Sequence, residues 1–368
     1  MRRITLGCAA CLGIFSAILV LGAQDNSSAP PRIENGHVER RPLSGPLSAE
    51  LKKWAEQSAQ PEWVGYRMAE IPGNREACCE NYGASGKKWG CGTCRLESGD
   101  HGANVSSSNS PVKLEGPRNI AVLFRAENNH IMKIRALSEE CTLDAGGLPF
   151  VWLTGVKPAE SVEVLSGYVR GAEFAEHDGN GLGHSALAAI ALHADAAADR
   201  ALETFVAPDQ RESLRKQTAF WLGAARGQPG FITLQKMANA DPSSDVRSQV
   251  TFAFFVSHEP TAIDEMIRMA KNDNSTRVRG QALFWLAQKA GQKAVGTITA
   301  AIENDPDTEV KKKAVFALSQ LPKDDAVPKL IEVAQTNRNT AVRKQAMFWL
   351  GQSNDPRALA FFEKVLTQ

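Results

Sequence analysis

The sequence predicts a mainly α-helical protein, in which a C-terminal α-solenoid follows a small cysteine-containing, β-rich (α+β) domain. The first observation is a motif that recurs every 32 residues through the C-terminal half. The second is that five cysteines cluster in the middle of the chain, whereas residues 142–368 contain none. We therefore assign residues 61–176 to the small domain and residues 182–368 to the solenoid.

The repeat becomes visible when the C-terminal half is aligned with itself. Its clearest segment, Leu-Arg-Lys-Gln-Thr-Ala-Phe-Trp-Leu, has equivalents that begin 32 residues apart, at Leu214, Val246, Val278, Val310 and Val342. One further step back reaches Leu182, where an apolar helical pattern indicates a degenerate first repeat. Each repeat contains two amphipathic helical stretches that are separated by proline or glycine turns. The array is therefore predicted to contain about six helical pairs.

A single helical pair of this length cannot be stable alone. Ordering its backbone costs on the order of 30–60 kcal/mol. Four or five buried apolar side chains return only about 1.5–3 kcal/mol each. Stacking against neighbouring repeats must supply the remainder, so the array is expected to fold as one unit.

The phrase Asp-Pro-x-x-x-Val-Arg, as at residues 241–247, carries a family resemblance. It resembles the short HEAT repeat that is named for phycobilisome lyases, and the chain as a whole resembles bacterial exported HEAT-repeat domain-containing proteins. The resemblance covers about half of the chain and implies that the second helices line the concave side. On that side we expect contacts with another protein, near Gln235, Lys236, Arg268, Lys271, Glu303 and Glu332.

One column of basic residues follows the repeat, namely Arg215, Arg247, Arg279, Lys311 and Arg343. This column could follow nucleic-acid phosphates, but the net charge of the chain is only +1. The HEAT resemblance instead implies that each basic residue bridges to the acid of the turn before it, at Asp241, Asp273 or Asp305. We therefore expect a structural role and no nucleic-acid partner.

Tryptophans alternate with alanines at another repeat position. Trp221, Trp285 and Trp349 occupy it in three repeats, and Ala253 and Ala317 in the two between them. The tryptophans could form ligand platforms, but alternation of large and small residues is how packed layers interdigitate. We interpret them as packing between repeats.

The N-terminus predicts export from the cytoplasm. Two arginines precede an uncharged apolar run, and small residues then lead to a polar stretch, so residues 1–23 are interpreted as a cleaved signal peptide. The alternatives are an uncleaved membrane anchor and a lipoprotein that uses Cys8. Residues 24–60 are interpreted as a Pro-rich flexible linker and a short helix. The mature protein is expected to be periplasmic or extracellular, with no membrane contact beyond this signal.

Within the small domain, the pattern predicts a hairpin from the apolar runs at 120–124 and 131–137, a third strand at 148–153 and a helix from Pro158. In an oxidising compartment, clustered cysteines favour disulfides. The candidates are Cys78, Cys79, Cys91, Cys94 and Cys141. Their number is odd, and the pairing stays open. The Cys91-Gly-Thr-Cys94 spacing also allows a thiol-redox site or, with the adjacent Cys78 and Cys79, a zinc site.

Two enzyme families use HEAT repeats, and each has requirements that this sequence can be compared with. Deoxyhypusine hydroxylase holds two irons with repeated His-Glu pairs, whereas this chain has one such pair, His258-Glu259, and no other histidine after His193. Phycobilin lyases act in the cytoplasm, which does not suit an exported protein. We therefore expect an extracytoplasmic protein-binding scaffold that has no catalytic activity, cofactor or metal. The alternative is an oxidoreductase that is thiol-based, through Cys91 and Cys94, or metal-dependent.

Overall fold

The computed structural model describes residues 29–72, 81–82, 88–89, 93–97, 103–104, 118–172, 174 and 181–367. A β-rich region comes first and a continuous run of helices follows it. This order confirms the predicted fold class.

The β-rich region contains eleven strands among the described residues. They are β1 (Ile33–Glu34), β2 (His37–Pro42), β3 (Glu62–Ala69), β4 (Asn81–Tyr82), β5 (Lys88–Trp89), β6 (Thr93–Arg95), β7 (Ala103–Asn104), β8 (Asn119–Glu127), β9 (His130–Ser138), β10 (Thr142–Asp144) and β11 (Pro149–Thr154). The main sheet has the order β2-β11-β3-β8-β9, a smaller sheet has the order β1-β10-β6-β7, and β4 pairs with β5. Two helices accompany them, α1 (Leu47–Gln57) and α2 (Pro158–Gly171).

The predicted hairpin is confirmed, because β8 and β9 pair antiparallel from Ile120 to Glu127, with one shift of register between Arg125 and Ala126. Their turn contains Asn128 and Asn129, both at positive φ, a conformation that asparagine tolerates better than most residues. The predicted third strand is β11, which runs parallel to both β2 and β3. Helix α2 begins at the proline that the sequence indicated.

The interpretation of residues 24–46 as flexible linker is wrong in part, because β1 and β2 lie within it. Strand β2 runs parallel to β11, with Val38 opposite Phe150. All six β2 residues are exposed, so the strand has no apolar alternation that would reveal it in the sequence. Backbone pairing with a strand more than 100 residues away determines its structure.

The three inner strands of the main sheet, β11, β3 and β8, are buried on both faces. One face joins a core that continues through α1 and α2 into the helical array. The other face packs on the small sheet through a second core, which includes Trp63, Leu123, Phe150 and Trp152. At Gly65 the packing leaves no room for a side chain, since a Cβ there would lie 2.5 Å from Leu123 Cδ2.

Within the continuously described residues 181–367, twelve helices form the six predicted pairs. They are α3 (Leu182–Leu192) with α4 (Ala196–Phe205), α5 (Glu212–Ala225) with α6 (Gly227–Ala240), α7 (Ser244–Val256) with α8 (Ala262–Asn272), α9 (Thr276–Ala290) with α10 (Val295–Asn304), α11 (Thr308–Ser319) with α12 (Lys323–Thr336), and α13 (Thr340–Gln352) with α14 (Pro356–Leu366). A 3-10 helix at Gly291–Ala294 leads into α10. The first helices of successive pairs pack directly on one another in a row, which we call the first-helix row. The other helices form the second-helix row.

Ion pairs connect consecutive repeats. Arg215 pairs with Asp241, Arg247 with Asp273 and Arg279 with Asp305, each with a shortest N–O distance of 2.8–2.9 Å. Each arginine thus reaches the acid of the turn after its own repeat, so the expectation that it would bridge to the preceding turn is wrong. The preceding turn of Arg247 and of Arg279 instead supplies a backbone carbonyl acceptor. The structural role of the column is confirmed for these three arginines.

A buried polar network joins the sheet to the array. The Ser161 hydroxyl lies 2.9 Å from the Tyr66 hydroxyl and 2.8 Å from His193 Nε2, and His193 Nδ1 lies 2.7 Å from the Ala189 carbonyl oxygen. Tyr66, Ser161 and His193 are fully buried. Burial lowers the pKa of His193 from 6.5 to about 4. The network therefore holds a neutral histidine where α3 ends, beside the sheet and α2.

Candidate functional site

The residues predicted to bind a partner lie on four helices of the second-helix row. Gln235 and Lys236 are on α6, Arg268 and Lys271 on α8, Glu303 on α10 and Glu332 on α12. All except Gln235 and Arg268 are exposed.

The structure brings Gln235 and Arg268 together through one carboxylate. Gln235 Nε2 donates to Glu265 Oε1 and Arg268 Nε donates to Glu265 Oε2, both at 2.8 Å. Lys236 lies 3.4 Å from Glu203 of the preceding repeat, and Glu332 pairs with Lys329 at 2.8 Å. Four of the six predicted residues therefore form polar contacts within the array. The other two, Lys271 and Glu303, are exposed at neighbouring positions of the same row.

Two shallow clefts open beside this surface. One, of about 270 Å³, is lined by Glu203, Lys236 and Met237 among others. The other, of about 330 Å³, is lined by Lys271, Asn304 and the Arg279–Asp305 pair. Both are lined by apolar and charged side chains, which suits side chains of a protein partner.

A second surface, on the first-helix row, was not predicted. Aromatic side chains form a continuous line across five repeats, which we call the aromatic ribbon. Its members in order are Trp221, Phe220, Phe252, Trp285, Phe284, Phe316, Trp349 and Phe348. Neighbouring ring centroids are 4.8–6.0 Å apart. The signal in the sequence was a phenylalanine every 32 residues, directly before the Trp/Ala position.

The alternation of tryptophan and alanine makes the ribbon continuous. Trp285 lies 4.8 Å from Phe252 of the preceding repeat, and Trp349 lies 4.9 Å from Phe316 in the same relation. In each case the preceding repeat has an alanine at the tryptophan position, Ala253 or Ala317. The interpretation of the tryptophans as packing between repeats is confirmed for Trp285 and Trp349.

A line of glutamines runs beside the ribbon. It comprises Gln217, Gln249, Gln281 and Gln345, each three residues before a ribbon phenylalanine and hence on the same helix face. All four are partly exposed. Within the described part of the chain, their carboxamides form no hydrogen bond. Of the five repeats that the ribbon crosses, the one without this glutamine has the exposed Lys313, whose stem lies over Gly280.

Two of the five candidate cysteines, Cys94 and Cys141, lie among the described residues. Cys94 in β6 and Cys141 before β10 are fully buried in the second core, and their strands are parallel neighbours. Cys78, Cys79 and Cys91 lie outside the described residues. Among the residues that are described, no group of three His, Cys, Asp or Glu side chains could hold a metal ion. The predicted disulfides, thiol-redox site and zinc site thus stay predictions.

Comparison with known proteins identifies the helical array. Residues 263–348 and 295–368 match the family model for HEAT repeats. The C-terminal region contains HEAT repeats. Human deoxyhypusine hydroxylase in complex with glycerol is a similar solved structure, with 14% identity, a TM-score of 0.30, and coverage of 56% of this chain and 89% of that one. No curated protein matches the chain.

HEAT repeats of this kind suggest a repeat scaffold. His258, from the one His-Glu pair, lies exposed in the turn between α7 and α8. Among the described helices, none combines the length and the apolar character that crossing a membrane requires.

Proposed function

We propose that the protein is an extracytoplasmic scaffold that binds another protein along its HEAT array and has no catalytic activity of its own. The observation that carries this proposal is the array itself. Six stacked pairs present two long rows of helices, and side chains recur on them at fixed intervals. Such extended repeated surfaces suit a macromolecular partner better than a small molecule, which needs a concave pocket.

Cross-linking in the cells that produce the protein tests the proposal. An amine-reactive cross-linker should join one partner protein reproducibly to Lys236 or Lys271 on the second-helix row. Lys53 on α1 is also exposed, and it serves as the internal control for random capture. Absence of any partner in several growth states, or cross-links at Lys53 alone, would contradict the proposal.

Reversal of charge defines where the partner binds. The double variant Lys236→Glu with Lys271→Glu should weaken capture at least about tenfold, because each change puts like charge opposite the partner's complementary group. If the variant captures the partner as well as wild type does, the partner does not bind on the second-helix row.

We further propose that residues 1–23 direct export and are removed, and that the cysteines of the middle region then form disulfides. The intact mass of the protein from its native source tests both points. A chain that begins near Gln24 is expected, and two disulfides would make it lighter by about 4 Da than the reduced chain. A chain that retains residues 1–23 would favour the uncleaved anchor. A native mass that includes zinc or iron, with reduced thiols, would favour the metal-dependent alternative.

A further inference from the structure

The aromatic ribbon is a partly exposed apolar line on the first-helix row. Its rings contact one another, but none of the eight belongs to the fully buried core. Phe348 is the most exposed of them, at 54%. Contiguous apolar surface of this kind is uncommon on a protein without a partner there.

The rings of the ribbon lie close together in two geometries. Phe220 and Phe252 have nearly parallel planes, with centroids 6.0 Å apart and an interplanar angle of 14°, and Phe284 and Phe316 do the same at 5.8 Å and 6°. Phe284 and Trp285 meet edge to face at 4.8 Å. Partly exposed aromatic side chains offer large apolar contact areas, which accommodate the apolar side chains of a polypeptide.

The glutamine line supplies hydrogen-bonding groups that suit the backbone of an extended peptide. Each carboxamide offers one acceptor oxygen and two N–H donors, which complement the N–H and C=O of a peptide unit. Helices in contact lie about 8–10 Å apart. Because an extended chain rises about 3.3 Å per residue, the four steps from Gln217 to Gln345 would accommodate roughly 10–12 residues.

The charge beside the ribbon indicates the character of that peptide. Asp245 is paired with Arg277 at 2.7 Å, and Glu309 is paired with Lys312 at 3.0 Å. Lys313 and Lys344 are exposed and have no ion pair within the described residues. The uncompensated charge near the ribbon's C-terminal repeats is therefore positive.

We propose that the aromatic ribbon, the glutamine line and Lys313 form a binding site for an extended polypeptide segment with apolar side chains and at least one acidic side chain. The rings contact the apolar groups, the carboxamides form hydrogen bonds with the peptide backbone, and Lys313 with Lys344 pairs with the acid. This inference rests on the proposed protein-binding function and specifies the chemistry of a partner on the row opposite the one predicted from the sequence.

A display library of random 12-residue peptides, selected on the full chain, tests the site. Selected peptides should combine apolar residues with Asp or Glu and bind as extended chains. Synthetic copies should bind the double variant Gln249→Ala with Gln281→Ala more weakly, by about two- to tenfold for each lost hydrogen bond. Lys313→Glu should weaken binding by about tenfold or more, and added salt should reduce the difference from wild type.

Matched controls separate this site from the proposed function. Gln335→Ala removes an exposed glutamine of α12 on the second-helix row, and it should leave peptide binding unchanged. Thermal unfolding of every variant should match wild type, because these side chains are partly or fully exposed.

Two outcomes would overturn the inference. If selected peptides bind equally to wild type, Gln249→Ala/Gln281→Ala and Lys313→Glu, the site is wrong. The proposed function would still stand if Lys236→Glu/Lys271→Glu abolished capture of the partner. If no peptide is selected and no partner is captured, both proposals fail.

Discussion

Arg215 and Asp241 form a two-pronged ion pair between consecutive repeats, from Nε to Oδ2 at 2.9 Å and from Nη2 to Oδ1 at 3.1 Å. Both side chains are almost fully buried, at 4% and 2% exposure. Removal of one partner leaves the other charge buried without compensation, which typically costs about 3–5 kcal/mol. We predict this loss for Asp241→Asn, measured as the free energy of unfolding in urea.

The control for this prediction is an exposed pair in the same array. Arg277 and Asp245 also connect consecutive first helices, but their side chains are 62% and 41% exposed. Asp245→Asn should therefore cost no more than about 1 kcal/mol. Equal losses in the two variants would show that burial does not set the contribution of the Arg215–Asp241 pair.

The close approach of α5 and α7 gives a second prediction. A Cβ at Gly223 would lie 2.2 Å from the Ala253 carbonyl oxygen, which belongs to backbone and cannot turn away. Gly223→Ala should therefore force the helices apart and destabilise the protein by about 1–3 kcal/mol, measured by thermal unfolding.

Gly351 is the matched position, four repeats later and also inside a first helix. A Cβ there would have no atom within 4 Å. Gly351→Ala should be neutral or raise stability by about 0.5–1 kcal/mol, because alanine favours the helix. A destabilising Gly351→Ala would mean that helix packing is not the cause of the Gly223 effect.

Buried His193 predicts a loss of stability in acid. Burial lowers its pKa to about 4 in the folded protein, whereas the unfolded chain titrates near 6.5. Below pH 6.5 the unfolded state therefore binds a proton that the folded state does not bind. The free energy of unfolding falls as the pH is lowered to about 4. His193 lowers the free energy of unfolding by about 3 kcal/mol over this range.

The measurement is urea unfolding at several values between pH 7 and pH 4, for wild type and His193→Gln. Glutamine can keep a hydrogen bond to Ser161 but does not titrate, so the variant's stability should fall less with pH. Titration of the carboxylates changes the stability of both proteins alike, so it cancels when the two pH profiles are subtracted. Parallel pH profiles would contradict a role for His193.

The sequence was most informative where structure depends on near neighbours. A 32-residue recurrence predicted the six helical pairs, and the apolar runs at 120–124 and 131–137 predicted the hairpin of β8 and β9. Both signals are local, since helix periodicity and apolar runs are written in adjacent residues. Where structure depends on distant pairing, as for the exposed edge strand β2 and its partner β11, the local pattern indicated a linker.

The candidate surfaces show the same limit. The position of Gln235 and Arg268 on second helices followed from the repeat. Their shared hydrogen bonding to Glu265 depends on how two consecutive repeats stack, which the sequence does not show. Arg247 was matched with Asp241, in the turn before it, for the same reason, because stacking brings Asp273 of the following turn to its guanidinium. The aromatic ribbon was readable from the 32-residue phenylalanine spacing, but the unbonded state of the glutamines appears only when neighbouring side chains are placed.

The Tyr66–Ser161–His193 network attaches one end of the array to the sheet, so the two ends of the array differ. The first repeat packs on β9 and on α2 as well as on the second repeat, whereas the main packing contacts of the repeats from α7 onward are with other repeats. Opening α3 must break buried contacts with α2 and β9 in addition to its own. Backbone amide exchange should therefore be slowest beside the sheet and become faster with distance along the array, so that a partner bound far from the sheet meets the more deformable repeats.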